Sequence, residues 1–586
     1  MDIMLDSHSF FVAFALVVLS IGGFYAGIVY PLGSYVFRLR FFNHGYSHKS
    51  SAFTIFFSAV VGCGIPLGAI GLIAYQSVWK DLTPVRFFVS AWKFCDYWRT
   101  YNNFRVDPIL YYYIYASMIF GIVLNSMFGI LARWDPLPQP EIEKASERHA
   151  FIIVAHNSSD KLEKTIKALL RHVRPHQVFV ADNGSTHKEV ARTDAICAKL
   201  TEEYYGEDTK ESLGDINVSH ISYGNKSIAQ YAAVYYLYQL WISGASEIDI
   251  ITTIDDDVII PEYWPSKSIE KQFEDPSKVA LAYPLSAENN NATLAAKLQD
   301  CEYLSGNVGR YTHDIFGTQL FASGAISTWK VTALMGVLER HCTIFNGEDL
   351  EMGYIVHKLS GRRGSKLGVD QATRIGYVRD CVVPTIVPFC FVHWYDILPN
   401  PLKRKINPTP CSCQEHSFVN QRLRSWDPAG HMFIYKWIKV IFSPGGLGYK
   451  PKWFVRLICL WKVISILREY SQIIGIFVSF LRIRSVDSLN SLLVFYVDSI
   501  VISWAAEVFY LTFQSLSLGR IGLAMRPDVL FCFPILYDIP YYLVIRFITA
   551  IYSLVYYIIA VRFPDDIRTQ ISKDTVKRQI LHSIWF

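Results

Sequence analysis

The chain has 586 residues, of which 51% are hydrophobic and 15% aromatic, with a formal net charge of +5. That length exceeds what one hydrophobic core organises, so two or more domains or layers are required. The small charge, without a basic helix or an aromatic platform, excludes a nucleic-acid binder; the 11 scattered cysteines form no even framework and suit a reducing compartment.

Apolar residues are clustered rather than spread. At the amino end, 10–33, 53–75 and 109–131 each approach the roughly 20 residues a helix needs to cross a bilayer. The first lacks a basic leader and is too long for a signal core, so it reads as a retained anchor. Asp2 and Asp6 precede it, and Arg38, Arg40 and Lys49 follow it. With that basic loop inside, three crossings leave the next block in the cytosol, although the loop 76–108 is basic too. Sequons at Asn157, Asn183, Asn217, Asn225 and Asn291 would suit a lumenal domain, but two of them fall in candidate ligand loops that a glycan would block.

From Arg133 to about Phe391 short Val/Ile runs alternate with polar helical stretches, the pattern of an α/β layer fold. The run 151–155 reads as a strand, followed by the polar turn His156 to Asp160 and a helical pattern through Leu162, Ile166 and Leu169. Such a unit opens a nucleotide-binding α/β fold. A second strand, 177–181, ends in Asp182, Asn183 and Gly184, where Asp182 could take a base or ribose group, or be an ordinary turn residue. Lys226 opens a helical stretch and is a candidate diphosphate partner.

The run 250–254 then ends in Asp255, Asp256 and Asp257. On an extended segment alternate side chains share a face, so Asp255 and Asp257 are expected on one side and Asp256 on the other. A same-side carboxylate pair can hold a hard dication that bridges phosphate oxygens. Downstream lie a small-residue stretch around Ser323 and Gly324, the acidic cluster Gly347 to Glu351, and Gln421, Arg422, Arg424, Ser425 and Trp426 before the amphipathic segment 432–442. Cys411, Cys413 and His416 lack a fourth ligand at zinc spacing.

Beyond this block, 453–483, 488–514 and 529–563 are apolar again. Arg456, Lys462 and Arg468 interrupt the first, which suits a helix in the interface, and Pro534 and Pro540 break the third, so two to four spans are expected. The chain thus divides into a membrane region 1–133, a cytosolic domain 134–400, interface helices 401–445, a second membrane region 446–563 and a tail 564–586. Asp498 and Glu507, ionisable groups inside apolar stretches, are candidates to line a path or, equally, to pack helix against helix. The tail carries Lys573, Lys577, Arg578 and Trp585 and reads as an amphipathic interface helix in preference to a disordered end.

In order and spacing, the segments from Phe151 to Trp426 resemble the processive, membrane-bound family 2 glycosyltransferases, nearest to hyaluronan-synthase-like and fungal capsule-type polysaccharide synthases. The resemblance implies an α/β GT-A domain embedded between multi-span α-helical membrane segments, in the plasma membrane with the catalytic domain cytosolic. It implies a UDP-sugar donor, a polysaccharide acceptor, the lipid bilayer as surroundings, no nucleic acid, and compatibility with a homo-oligomer. By the same carry-over His156, Asp182 and Lys226 line the nucleotide, and Asp255 with Asp257 holds UDP and Mn2+ or Mg2+. Gly324 approaches substrate; Asp349 is the general base of an inverting transfer, with Glu348 beside it in the catalytic pair. Gln421, Arg424 and Trp426 match a Gln-x-x-Arg-Trp motif, except that Ser425 separates its last two members and makes Arg422 the alternative phosphate partner.

The donor could be glucose, N-acetylglucosamine, glucuronate or an alternating pair, with pocket shape around Cys301, Ser323 and Gly324 deciding. A growing polar polymer cannot cross hydrocarbon unassisted, which gives the many spans a purpose. The rival readings are a glycosyltransferase acting on a ceramide or polyprenyl-phosphate lipid, and a nucleotide-sugar-binding transporter or scaffold.

Overall fold

A computed structural model describes residues 144–206, 214–221, 224–289, 292–315, 317–341, 347–359, 373–388, 390, 417–422, 430–431, 433–442, 455–464 and 466. The expected spans other than part of 453–483, the residues Cys411, Cys413, His416, Arg424, Trp426, Asp498 and Glu507, and the tail lie outside them. Among the described residues no helix is long and apolar enough to cross a membrane.

The first strand, β1 (His149–Ala155), is buried at every position, the signature of a strand covered on both faces. It is followed by α1 (Ser159–Leu169), β2 (Val178–Asn183), α2 (His187–Tyr205), β3 (Asn217–Ile221), α3 (Lys226–Ile242) and β4 (Ile250–Asp255). These strands pair in parallel, β1 lying between β2 and β4, with helical crossovers supplying the return path. The second strand starts one residue later than its pattern suggested and runs on to Asn183; Gln177 closes a 3-10 turn, its side chain bonding the carbonyls of Ser146 and His149.

Next come α4 (Ser266–Gln272), β5 (Lys278–Ala282), β6 (Leu285–Ala287), α5 (Leu294–Ile315), β7 (Ile326–Lys330), α6 (Val331–Leu338), α7 (Glu348–Leu359), β8 (Arg374–Tyr377) and β9 (Val383–Thr385). Seven strands form a sheet in the order β3-β2-β1-β4-β7-β5-β8, and β6 pairs with β9 beside it. Within the large sheet β7 runs antiparallel to both neighbours. An α/β layer fold is therefore observed, as the alternating pattern implied. The one reversed strand is what puts a loop that precedes a strand at the edge where the parallel strands end.

One face of the sheet packs an apolar cluster in which Trp264 meets Phe151 at 6.0 Å and stacks on Tyr283 at 5.2 Å. Each such fully buried aromatic contributes on the order of 2–3 kcal/mol by transfer from water. Through the sheet itself runs a polar line: His149 Nε2 meets Thr252 Oγ1 at 2.7 Å, Thr252 meets Thr328 at 2.6 Å, and Tyr283 meets Thr328 at 2.5 Å. After the sheet, α8 (Phe418–Gln421) and the amphipathic α9 (Ile434–Phe442) follow. Lys436 of α9 pairs with Glu351 of α7, both nearly buried, which ties α9 to the helix carrying the acidic cluster.

Candidate active site

The carboxyl ends of β1, β2 and β4 and the loop entering β7 meet at one edge of the sheet. Asp255 is the last residue of β4, and its backbone N–H donates to Ala325 O at 2.9 Å, joining the strand end to the loop of Gly324. The extended run stops there. Asp256 and Asp257 belong to a turn, with Val258 N–H returning to Asp255 O at 3.3 Å, so strand alternation does not govern them. The alternation expected of an extended triplet therefore does not hold. Asp256 nevertheless diverges from Asp257: its Oδ2 accepts from His156 N at 3.2 Å, whereas Asp257 Oδ1 accepts from Thr385 Oγ1, also at 3.2 Å.

Lys226 begins α3 because Asn225 caps it, the amide oxygen accepting from Ile228 N at 3.2 Å. From that position Nζ reaches Asp255 Oδ1 and Glu348 Oε1, both at 2.7 Å, and donates to Gly324 O at 3.2 Å. Glu348 and Asp349 occupy the first turn of α7, where the helix dipole favours acidic residues. Asp349 Oδ2 accepts from Gly324 N at 3.3 Å and its Oδ1 from Leu350 N at 2.9 Å. A side chain at 324 would intrude, since a Cβ there stands 3.0 Å from Glu348 Oε1 and 3.5 Å from Asp349 Cβ and Cγ.

Five expected residues, Lys226, Asp255, Gly324, Glu348 and Asp349, thus form one contact network. The electrostatics follow from too many carboxylates in a confined space. Burial pushes Asp255 up to about 8, with Asp257 and Glu348 adding to the shift and Lys226 opposing it. Burial and the neighbouring Asp256 push Asp257 up to about 6. Burial and Glu348 push Asp349 up to about 6 as well, against Arg310. Burial would lower the Lys226 ammonium, but Asp255 and Glu348 outweigh it and hold the group above the ordinary lysine value. For Glu348 burial acts upward and Lys226 wins, leaving it below the usual carboxylate range.

His156 and Asp182 sit at the neighbouring strand ends, Ala155 being paired with Asp182 in register. His156 Nδ1 meets Asn183 O at 2.7 Å. Asn157, at a φ of 51° that asparagine tolerates, receives from and gives to the next loop, with its N–H on Ser185 Oγ at 2.8 Å and its Oδ1 accepting from Thr186 N at 2.9 Å. Asp182 is 1% exposed. Gln421 closes α8, its N–H on Ser417 O. Arg422 is fully buried, paired with Glu302 of α5 and lying over the Phe418 ring at 4.9 Å. Arg422, the alternative phosphate partner, is thus engaged by a carboxylate in this structure, as Lys226 is by two.

Three contributors carry no motif. Thr385, on β9, holds Asp257. Arg310, on α5, lies over the Phe321 ring at 4.9 Å with Nη1 buried and unpartnered, near enough to Asp349 to favour its carboxylate form. His220, on β3, contacts Asp182. For Arg310 a cation on the inner stripe of a long helix was the only available signal.

A group of three or more metal-binding side chains does not occur among the described residues. The donor set is two carboxylates, Asp255 and Asp257, each destabilised as an anion by burial and by its acidic neighbours. That chemistry would suit a hard dication, which Asp255 and Asp257 would be the residues to hold.

No protein-family model and no curated protein matches the chain. Among solved structures it is similar to the mannosyltransferase PcManGT from Pyrobaculum calidifontis in complex with GDP-Man and Mn2+, at 12% identity and a TM-score of 0.38, over 76% of this chain and 98% of that one.

Proposed function

We propose that the chain is a membrane-embedded glycosyltransferase that moves a sugar from a UDP-sugar to a growing polysaccharide with inversion and passes the product through its membrane region. The observation that carries this reading is the meeting of Asp349 with Lys226, Asp255 and Glu348 around the Gly324 backbone. The mixed sheet, with one antiparallel strand beside the strand ending in Asp255, supports a GT-A arrangement. The apolar stretches flanking the domain support the membrane and export parts.

In this mechanism Asp349 accepts the proton of the acceptor hydroxyl while that oxygen bonds to the anomeric carbon. The bond from that carbon to the diphosphate oxygen breaks, and its electron pair leaves with UDP. Mn2+ or Mg2+ held by Asp255 and Asp257 would neutralise charge on the departing diphosphate. Lys226 adds a second positive charge by turning from its carboxylates towards the phosphate oxygens. Gly324 keeps the floor of the site flat and lends its N–H to hold Asp349.

The test is UDP release and product size with purified full-length protein and Mn2+, offering UDP-N-acetylglucosamine, UDP-glucuronate, UDP-glucose and UDP-galactose singly and in pairs. Turnover yielding a polymer, lost with chelator and with Asp349→Asn, is expected. Turnover only with an added ceramide or polyprenyl phosphate would replace polymer synthesis by lipid glycosylation, and nucleotide binding without turnover by any donor would overturn the enzyme reading.

A further inference from the structure

Arg310, on α5, is a cation that no carboxylate neutralises by contact. Its side chain is part-buried, Nη1 is sealed from solvent, and among the described residues that nitrogen has no partner. The nearest candidate on its own helix is Asp314, one turn on, but Asp314 pairs with Arg379 at 2.6 Å. A buried donor and an uncompensated charge both cost stability, so something must offset them. Part of the offset is the Phe321 ring, which the guanidinium covers at 4.9 Å.

Phe321 is also where α7 rests, since a Cβ at Gly353 would stand 2.6 Å from Phe321 Cβ. Three residues on, Gly324 N–H donates to Asp349 Oδ2 at 3.3 Å. The ring thus fixes the guanidinium beside the turn of α7 that carries Asp349, and each group favours the charged form of the other.

A base has two needs that conflict. Its anion must be supported enough to exist at working pH, yet an oxygen must stay free to take the acceptor's proton. A bidentate arginine would fill both oxygens. As it lies, Asp349 accepts one backbone N–H on each oxygen, from Gly324 and Leu350, and keeps further lone pairs. The charges facing it are Glu348 on its own helix, Lys226 of α3 and Arg310 of α5. Glu348 opposes ionisation, and Lys226 is itself held by Asp255 and Glu348 at 2.7 Å. Arg310 in turn has Tyr377 of β8 and His313 of its own helix within reach.

We propose that Arg310 is a positioning residue for the transfer: a cation that stands off Asp349, supports its charge through space and leaves its oxygens to the acceptor hydroxyl. The proposal rests on the transferase reading above, in which Asp349 is the base. It assigns Arg310 no contact with donor or acceptor.

The test follows kcat for UDP release against pH in full-length protein in detergent, at saturating Mn2+ and with whichever UDP-sugar the unsubstituted protein turns over. Arg310→Met should move the rising limb up by about one pH unit, the lower end of what a nearby opposite charge does. That is about a 5-fold loss of kcat at pH 6 and less than ~2-fold at pH 9, with the donor KM unchanged. Arg310→Lys, which keeps the charge, should recover most of the activity at pH 6. Arg310→Gln, polar but uncharged, should match Arg310→Met and takes its place should that variant lose its melting transition. An equal loss of kcat at every pH, or a limb that stays in place, would overturn the proposal and leave Arg310 a packing residue, with the transferase reading intact. Absence of turnover by the unsubstituted protein with any donor would remove both.

Discussion

Gly353 lies one turn beyond Asp349 on α7, on the same helix face, and the helix passes against the loop before β7 so closely that no side chain fits. A Cβ at 353 would stand 2.4 Å from Leu320 O, 2.6 Å from Phe321 Cβ and 2.8 Å from Phe321 Cα. Two of these three are backbone atoms, which cannot rotate away. Gly353→Ala must therefore open the gap towards the roughly 3.3 Å of a carbon–oxygen contact, a retreat of about 0.9 Å by the whole first half of α7. The overpacking should cost about 2 kcal/mol, lowering the melting temperature by roughly 4–8 °C for a domain of this size. Because the 3.3 Å bond from Gly324 N to Asp349 Oδ2 spans the same gap, it breaks. A misplacement of that size costs about 100-fold in turnover. The assay is UDP release at saturating donor alongside thermal unfolding in detergent. Gly306→Ala is the control, since a Cβ there meets nothing within 4 Å and lies in α5, where alanine should stabilise by up to ~1 kcal/mol. If Gly353→Ala kept full turnover and an unchanged melting temperature, the close approach of α7 to the Leu320 backbone would be wrong, and with it the account of how Asp349 is placed.

Other perturbations probe the same edge. Asp349→Asn should cut kcat by about 10²–10⁴-fold with donor affinity retained. Since the base acts unprotonated and its pKa is pushed up to about 6, turnover should rise with pH through about 6 and level off above it; a flat profile down to pH 4.5 would remove Asp349 from that role. Lys226→Met leaves Asp255 and Glu348 facing one another without their shared cation and should destabilise by about 1–3 kcal/mol, given the partial solvent access of all three. The same change frees Asp255, so Mn2+ should raise the melting temperature of the variant more than that of the parent, read by scanning calorimetry. His149 is held down to about 3 by burial, so below pH 6.5 the unfolded chain binds a proton that the folded one refuses. Stability should be full above 6.5 and fall as pH drops towards 3, by up to ~1.4 kcal/mol per unit; His149→Gln should flatten this slope relative to the parent in pH-dependent unfolding.

The parallel half of the sheet was legible because its strands are short, doubly covered and therefore apolar throughout, and each ends in polar residues. The start of α3 was legible from Lys226, while its cap, Asn225, was not read as one. What escaped was set by distant pairing. No local pattern says that Ile326–Lys330 runs antiparallel between β4 and β5, and without that strand Gly324 cannot be brought to Asp255. The triplet Asp255 to Asp257 was recognised as a unit, but its geometry was misassigned, because a turn begins where alternation was assumed to continue. Lys226 was singled out for phosphate, whereas its carboxylate partners come from β4 and α7, the second 122 residues away in number. His220 and Arg310 sit on elements that carry several polar residues each, so neither stands out in its own stretch of sequence.

The polar line through the sheet has a consequence for how the chain is made. His149 must find a threonine 103 residues on, and that threonine a second one 76 residues further. While the ribosome has delivered only the first few strands, β1, β2 and β3 can associate through their short crossovers, yet the centre of the sheet is missing its seam. Long-range closures of this kind are slow, and until β7 emerges β4 has one unsatisfied edge, with the Thr252 and Thr253 hydroxyls on its two faces lacking Thr328 and Ser327. Those two hydroxyls make the nascent strand more polar, and so a poorer template for the indiscriminate pairing that leads to aggregation. They also reward only the partner that brings Thr328 opposite Thr252.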